Sequence, residues 1–289
     1  MLIKFWNQLG MIKLIASTSE FISWRNSISR SVGLVPTMGN LHSGHLSLVE
    51  QSVKENECTV VTIFVNPKQF GPGEDYEQYP RTLDDDLEKL KTLDGDIIVF
   101  APKDNSEIYP EGFQTQIALP ELSKILCGKS RPTHFAGVTT VVYQLFTLVK
   151  PELAYFGQKD YQQVKIIERM TKDLRLTAHI KMLPIIRDHD GLALSSRNQY
   201  LNDNQRQDAL ILPRTIEQLS SVLNQEGLSA VLSQINDITK NPVWDYLEIL
   251  EANSLRAPQS GDKFFVLVGA VFMGKTRLLD NKIVELNVR

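Results

Sequence analysis

The sequence predicts an α/β fold: an open, doubly wound parallel sheet wrapped by helices, followed by a smaller α+β domain. Three features predict it. Short apolar runs rich in Val, Ile, Leu and Phe lack clean alternation, as strands covered on both faces do. Between these runs, apolar residues recur at helical spacing, so strand and helix alternate. After about Pro184 the texture changes to polar turns, long helical patterns and separate strand candidates.

The expected strands of the sheet are Gly33–Val35, Thr59–Val65, Ile97–Phe100, Leu153–Phe156 and His179–Ile186. The intervening helices show as Leu46, Val49 and Val53, then Leu83, Leu87 and Leu90. Val138, Val142, Leu145 and Val149 make a further stripe that Pro151 stops, and Val164, Ile167 and Leu174 another. In the second part "DHDGLALSSRN" is turn-like, Asn204–Leu223 and Leu228–Thr239 read as helices, and "WDYLEIL" and "KFFVLVGAVFMG" as strands. A first domain over 11–184 and a second over 185–289 follow. Met11 opens a second plausible start, so residues 1–10 read as an extension or an upstream start.

Composition narrows the function. The 289 residues are 42% apolar and 22% charged, with a formal net charge of -3, so nothing here suggests a surface built for nucleic acid or anionic lipid. Cys58 and Cys127 lie far apart, which fits a reducing cytoplasm and two small buried apolar side chains, not a disulfide framework. No apolar run approaches the roughly 20 residues of a membrane span. The N-terminus is too weakly apolar for a signal peptide. A cytoplasmic enzyme or binding module of small molecules is the expectation.

Ligands of doubly wound sheets bind where strands end and helices begin. "VPTMGNLHSGH" is such a turn. Gly39 and Gly44 let backbone approach a ligand, and Ser43 is the expected cap of the next helix. His45 then lies in the first turn and His42 just before it, beside unpaired amides that suit phosphate. "FGQKDYQQ" repeats the arrangement, with Lys159 as a mobile cation, Asp160 as an acceptor, and Gln163 on the face of Lys159. "LALSSRN" offers hydroxyls and Arg197 for closure over phosphates. "FVNPKQFGPGEDYEQYPRT" puts the neutral amides of Asn66 and Gln69 after a strand, suited to hydroxyl and carboxylate groups.

In order and spacing, "VPTMGNLHSGH", "IFVNPKQFG", "YPRT", "RPTHFAGV", "FGQKDYQQ" and "DGLALSSRN" resemble the pantothenate synthetase (pantoate–β-alanine ligase) family, within the HxGH nucleotidylyltransferase superfamily. The resemblance is dense over Met11–Leu201 and loose beyond. It implies a Rossmann-like catalytic domain with a smaller C-terminal lid. It also implies ATP-dependent condensation of (R)-pantoate with β-alanine to pantothenate, AMP and pyrophosphate through a pantoyl adenylate, with Mg²⁺ and a homodimer. Carried over, the ATP site falls on Met38, Gly39, Asn40, Leu41, His42, Ser43, Gly44 and His45. It continues on Gly157, Gln158, Lys159 and Asp160, and on Ile186, Leu194, Ser195, Ser196 and Arg197. His45, with its companion His42, Lys159 and Arg197, carries the chemistry. Gln69 and Gln163 hold pantoate, Gln69 also lies near β-alanine, and Arg131 and His134 shape the pantoate end. Gln158 stands where many members have glutamate. Asp85 and Asp86 match acids associated with metal, yet "LDDDLEKL" also reads as a helix start with favourable dipole charge. A phosphate-bearing acceptor, which another member of the superfamily would use, is disfavoured by the neutrality of Gln69 and Gln163.

Overall fold

The computed structural model describes residues 12–286, so the expected extension over residues 1–10 lies outside the described residues. The strands of the first sheet are β1 (Ile12–Ile15), β2 (Val32–Thr37), β3 (Cys58–Ile63), β4 (Ile97–Phe100), β5 (Leu153–Gly157) and β6 (His179–Leu183). They lie in the order β1-β4-β3-β2-β5-β6. The β1–β4, β3–β4, β2–β3 and β2–β5 ladders are parallel. β3, "CTVVTI", is buried along almost its whole length, as helices on both faces require. The chain builds outward from β2 to β3 and β4, then reverses to β5 and β6, so the order switches between β2 and β5.

β1 was not expected, because its four residues give too short a run to stand out. β2 runs past the expected Val35 through Pro36 to Thr37. Pro36 is tolerated there because the β2–β5 ladder engages only Gly33 and Leu34, so no donor is missed at Pro36 on that side. β6 stops at Leu183, short of the expected Ile186.

The helices are α1 (Thr18–Asn26), α2 (Ser43–Glu55), α3 (Leu83–Leu90), α4 (Cys127–Ser130), α5 (His134–Val149) and α6 (Tyr161–Asp173), then α7 (Asp203–Ala209), α8 (Ile211–Glu226) and α9 (Leu228–Ile238). The single helix expected over Asn204–Leu223 is thus two, broken at Leu210. Pro213 explains the break: it lacks an N–H and belongs in the first turn of a helix, which α8 provides.

β7 (Trp244–Glu251), β8 (Phe264–Met273) and β9 (Thr276–Glu285) form a second, antiparallel sheet in that order. β9 was not expected. It pairs Thr276 with Met273 across a two-residue turn through Gly274 and Lys275. Leu212, Ile216, Leu219 and Leu223, at helical spacing on α8, pack in one core with Leu247, Ile249, Leu267 and Val271.

The described residues fall into two compact units. One comprises residues up to Leu119, Thr133–Phe156 and Ile167–Leu183; the other comprises Pro120–Pro132, Gly157–Ile166 and residues from Pro184 onward. Both cysteines are free and buried. No helix among the described residues is long and apolar enough to cross a membrane.

Candidate active site

In the first unit, β2 delivers the chain into the turn that bears the histidines. Thr37 Oγ1 donates to the Thr62 carbonyl at 2.7 Å and accepts from the Gly39 N–H at 3.1 Å. Gly39 and Asn40 then take positive φ values of 83° and 50°, a left-handed step that glycine and asparagine tolerate best. Asp86, on α3, holds that step from below. Its carboxylate is fully buried and accepts from the N–H groups of Asn40 at 2.8 Å and Leu41 at 2.7 Å. Lys89 Nζ donates to the Leu41 carbonyl at 2.8 Å. The Leu41 side chain enters the sheet core with Val35, Leu48 and Val61, so this residue anchors the turn by all its groups. Burial pushes the Asp86 carboxyl above the ordinary carboxylate range, against the pull of the Leu41 and Asn40 amides and Lys89.

The helix begins one residue earlier than expected. His42, not Ser43, is the N-cap: its Nδ1 accepts from the Gly44 N–H at 3.2 Å, while His45 Nδ1 accepts from the His42 N–H at 3.4 Å. This is a capping box written in imidazoles. A Cβ on Gly44 would come within 3.0 Å of the His42 ring, so only glycine leaves the cap undisturbed. The expected row of unpaired amides is also partly taken, because the Gly44 N–H goes to His42 Nδ1 and the His45 N–H to the His42 carbonyl at 2.8 Å. The turn therefore offers imidazole groups beside fewer free amides than expected. Both Nδ1 atoms accept, which places the ring protons on Nε2. The two rings lie 4.0 Å apart between centroids.

The second amide-bearing segment of this unit is equally fixed. Asn66, 1% exposed, accepts from the Tyr109 hydroxyl at 2.7 Å and donates to Gln69 Oε1 at 3.0 Å and the Gly137 carbonyl at 3.1 Å. Gln69 Nε2 meets Met38 Sδ at 3.1 Å, which joins a predicted ATP residue to a predicted pantoate residue. His134 Nδ1 donates to the Gln69 carbonyl at 2.8 Å.

In the second unit, Gly157 leads into a short 3₁₀ turn over Gln158–Asp160. Asn281 of β9 donates to the carbonyls of Gln158 at 2.8 Å and Lys159 at 3.0 Å, and accepts from Gln158 Nε2 at 3.1 Å. Lys159 and Asp160 pair at 3.0 Å. Of the adjacent glutamines on α6, Gln162 is buried: it accepts from the Cys127 N–H and donates to the carbonyls of Leu122 and Ile125. Gln163 is half-buried. Ile186 and Leu194 close a small hairpin, with Leu194 N–H donating to the Ile186 carbonyl at 3.0 Å. Ser195 caps the next 3₁₀ turn by accepting from the Arg197 N–H at 3.2 Å. Arg187 forms a two-pronged pair with buried Asp280, and Arg206 clamps Asp188 and Asp190.

These contacts describe the two acids of the metal expectation, Asp85 and Asp86. Asp86 is buried and turns an oxygen to each of two backbone amides, while its neighbour Asp85 is exposed. Among the described residues no group of three or more His, Cys, Asp or Glu could hold a metal ion. Sequence reasoning also missed Asn281, Asp280 and Gln162. The "LDN" after the "MGKT" hairpin signal was the available hint for the first two.

The family model for pantoate-beta-alanine ligase matches residues 11–283. The pantothenate synthetase of Acetivibrio thermocellus is 44% identical over 283 residues, covering 96% of this chain and 100% of that one. That of Thermosipho africanus is 45% identical over 259 residues, covering 88% and 92%. The crystal structure of pantothenate synthetase from Thermus thermophilus superposes with a TM-score of 0.86 at 39% identity, over 93% of this chain and 98% of that one. Pantoate-beta-alanine ligase from Francisella tularensis, complexed with beta-gamma ATP and beta-alanine, does so at 0.74 and 35% identity, over 94% and 98%. The chain belongs to the pantoate-beta-alanine ligase family.

Proposed function

We infer that this chain condenses pantoate with β-alanine, using ATP and releasing AMP and pyrophosphate through a pantoyl adenylate. The observation that carries the reading is the locked histidine pair at the amino end of α2, in a chain of this family. The first step brings a carboxylate to the α-phosphorus of ATP, so two anions must meet and charge must be neutralised as pyrophosphate leaves. His42 and His45 supply Nε2–H donors, held in that tautomer by their Nδ1 bonds, and the positive end of α2 adds to them. His45 serves the oxygens that gain charge as the α–β bridge breaks. Lys159 and Arg197 supply the remaining positive charge on the same nucleotide. Met38–His45, Gly157–Asp160, Ile186 and Leu194–Arg197 make up the nucleotide-binding set.

Gln69 and Gln163 hold pantoate, and Gln69 also lies near β-alanine, with Arg131 and His134 shaping that end. In the second step the amine attacks the acyl adenylate and AMP leaves. The mixed anhydride is already activated, so holding the amine close is the task. Mg²⁺ enters with the nucleotide as MgATP, supported by the two oxygens of Asp86 already being spent on the Asn40 and Leu41 amides. A catalytic domain over 11–184 and a lid over 185–289, a homodimer joined through the former, and action in the cytoplasm complete the proposal. The test is AMP release from ATP with the purified chain. It should require both pantoate and β-alanine, and pantoate alone should support exchange of pyrophosphate into ATP. AMP formation indifferent to pantoate would refute it.

A further inference from the structure

We propose that Asp280 and Asn281, neighbours on β9, are positioning residues that set the two nucleotide-facing segments of the second unit. The inference rests on the reading of the chain as an ATP-using ligase and adds residues that reading does not contain. Adjacent residues of a strand point to opposite faces, so one step of β9 can grip two segments at once. Asn281 takes the first. Its amide donates to the carbonyls of Gln158 and Lys159 at 2.8 and 3.0 Å and accepts from Gln158 Nε2 at 3.1 Å. Fixing the Lys159 carbonyl fixes the backbone from which its ammonium swings. Asp280 takes the second. Its two oxygens accept from Arg187 at 2.7 and 2.9 Å, and Arg187 Nη1 also reaches the Gly191 carbonyl at 3.1 Å, across the hairpin. Arg187 pairs there with Ala193, immediately before Leu194 and Ser195. Asp280 further accepts from the Asn281 N–H at 2.7 Å, which ties the two grips together.

Both residues are 2% exposed. A buried polar pair is a poor way to gain stability, since apolar residues of similar volume often do as well or better. Here the partners are backbone carbonyls and a hairpin arginine of the very segments that carry Lys159 and Arg197. Geometry is what the pair supplies.

The experiment is full steady-state kinetics on the intact chain carrying Asn281→Ala, with melting curves to fix the folded fraction. The expected result is a rise in the KM for ATP of about tenfold and a fall in kcat of roughly 10–10²-fold, the scale for a misplaced group. The KM for β-alanine should stay within about twofold, because Gln69 belongs to the other unit. A structural role alone would lower the melting temperature and the active fraction while leaving every KM unchanged, and that result overturns the proposal. So does an equal change in all three KM values. If Asn281→Ala fails to fold, Arg187→Lys decides by the same criteria. It keeps a charge against Asp280 and loses the prong to Gly191. Wild-type chain that releases no AMP from ATP with pantoate and β-alanine would fail the ligase reading itself. Active wild type with unaltered ATP kinetics in the folded variants fails only this inference.

Discussion

Asp86→Asn tests the turn beneath the histidines most sharply. The native carboxylate accepts from two amides, Asn40 at 2.8 Å and Leu41 at 2.7 Å, in a site closed to water. An asparagine there keeps one acceptor and turns an NH₂ toward the other N–H, so one bond is lost and a donor is left facing a donor. The lost bond to a charged group is worth about 1.5–3 kcal/mol and the stranded N–H about 1–3 kcal/mol. Relief of the buried charge offsets part of this, which leaves a net destabilisation of about 2–4 kcal/mol. A domain stable by about 5–15 kcal/mol survives that. The left-handed step at Gly39 and Asn40 should loosen, and with it the cap that fixes His42 and His45. A displacement of about 1 Å there predicts a fall in kcat of roughly 10²-fold. Urea melts and AMP release on the same preparation check both numbers. A folded variant with at least half the wild-type kcat would refute the reasoning. Acid should act on the same group. The folded carboxyl titrates above its ordinary 3.8, so folding takes up a proton in that window and this group's contribution to stability rises as pH falls. Protonation turns one oxygen into a hydroxyl, a weaker acceptor for its amide, so activity should fall over the same window while stability does not. Asp86→Asn should abolish that acid limb.

Three further outcomes are expected. His45→Gln keeps a side chain able to reach back to the His42 N–H, so its melting temperature should match wild type while kcat falls roughly 10²–10³-fold; His45→Ala should lose both, and near-normal kcat in the glutamine variant would remove His45 from the chemistry. Gln163→Ala should raise the KM for pantoate more than that for ATP, whereas Gln162→Ala should lower stability by freeing the Leu122, Ile125 and Cys127 backbone; equal effects of Gln163→Ala on both substrates would contradict its assignment. Glu55 is held at about 2, below its ordinary 4.5, first by Lys181 and then by the Tyr155 hydroxyl. A depressed carboxyl contributes stability above the ordinary value and loses it as pH falls toward the folded one. Lys181→Met should therefore melt below wild type at pH 7, and a gap that persists undiminished toward pH 2 would count against the pair.

The sheet was legible because its strands are buried on both faces, which leaves continuous apolar runs such as "TVVTIF" in the sequence. The histidine turn was legible because glycine at positions 39 and 44 marks backbone that a side chain would obstruct. Its fine structure was not. Serine is the commoner cap, and nothing in the string announces that an imidazole has displaced it; the three-residue spacing of His42 and His45 is the capping-box interval, which only the folded chain discloses. β1 and β9 escaped for a different reason, one being four residues long and the other interrupted by Asp280 and Asn281 where a strand should read as apolar.

That interruption and the buried Asp86 have a common cause. Asp86 grips backbone 45 and 46 positions away in sequence, and Asn281 grips backbone 122 and 123 positions away. A residue that touches substrate tends to sit in a motif, because the ligand dictates several side chains along one turn. Asp86 and Asn281 instead bind chiefly backbone carbonyls and amides, which nearly every residue type offers alike, so apart from Gln158, whose Nε2 donates to Asn281, the segments they grip carry no trace of them. Their mark is negative: a buried polar residue inside a regular element. Asp86 lies one turn of α3 before the buried Leu90; on β9 Asp280 shares the face of the core residue Leu278, and Asn281 is buried on the opposite face. Polar residues at such interior positions, in chains whose motifs already locate the ligand, are where the side chains that hold an active site in shape should be sought first.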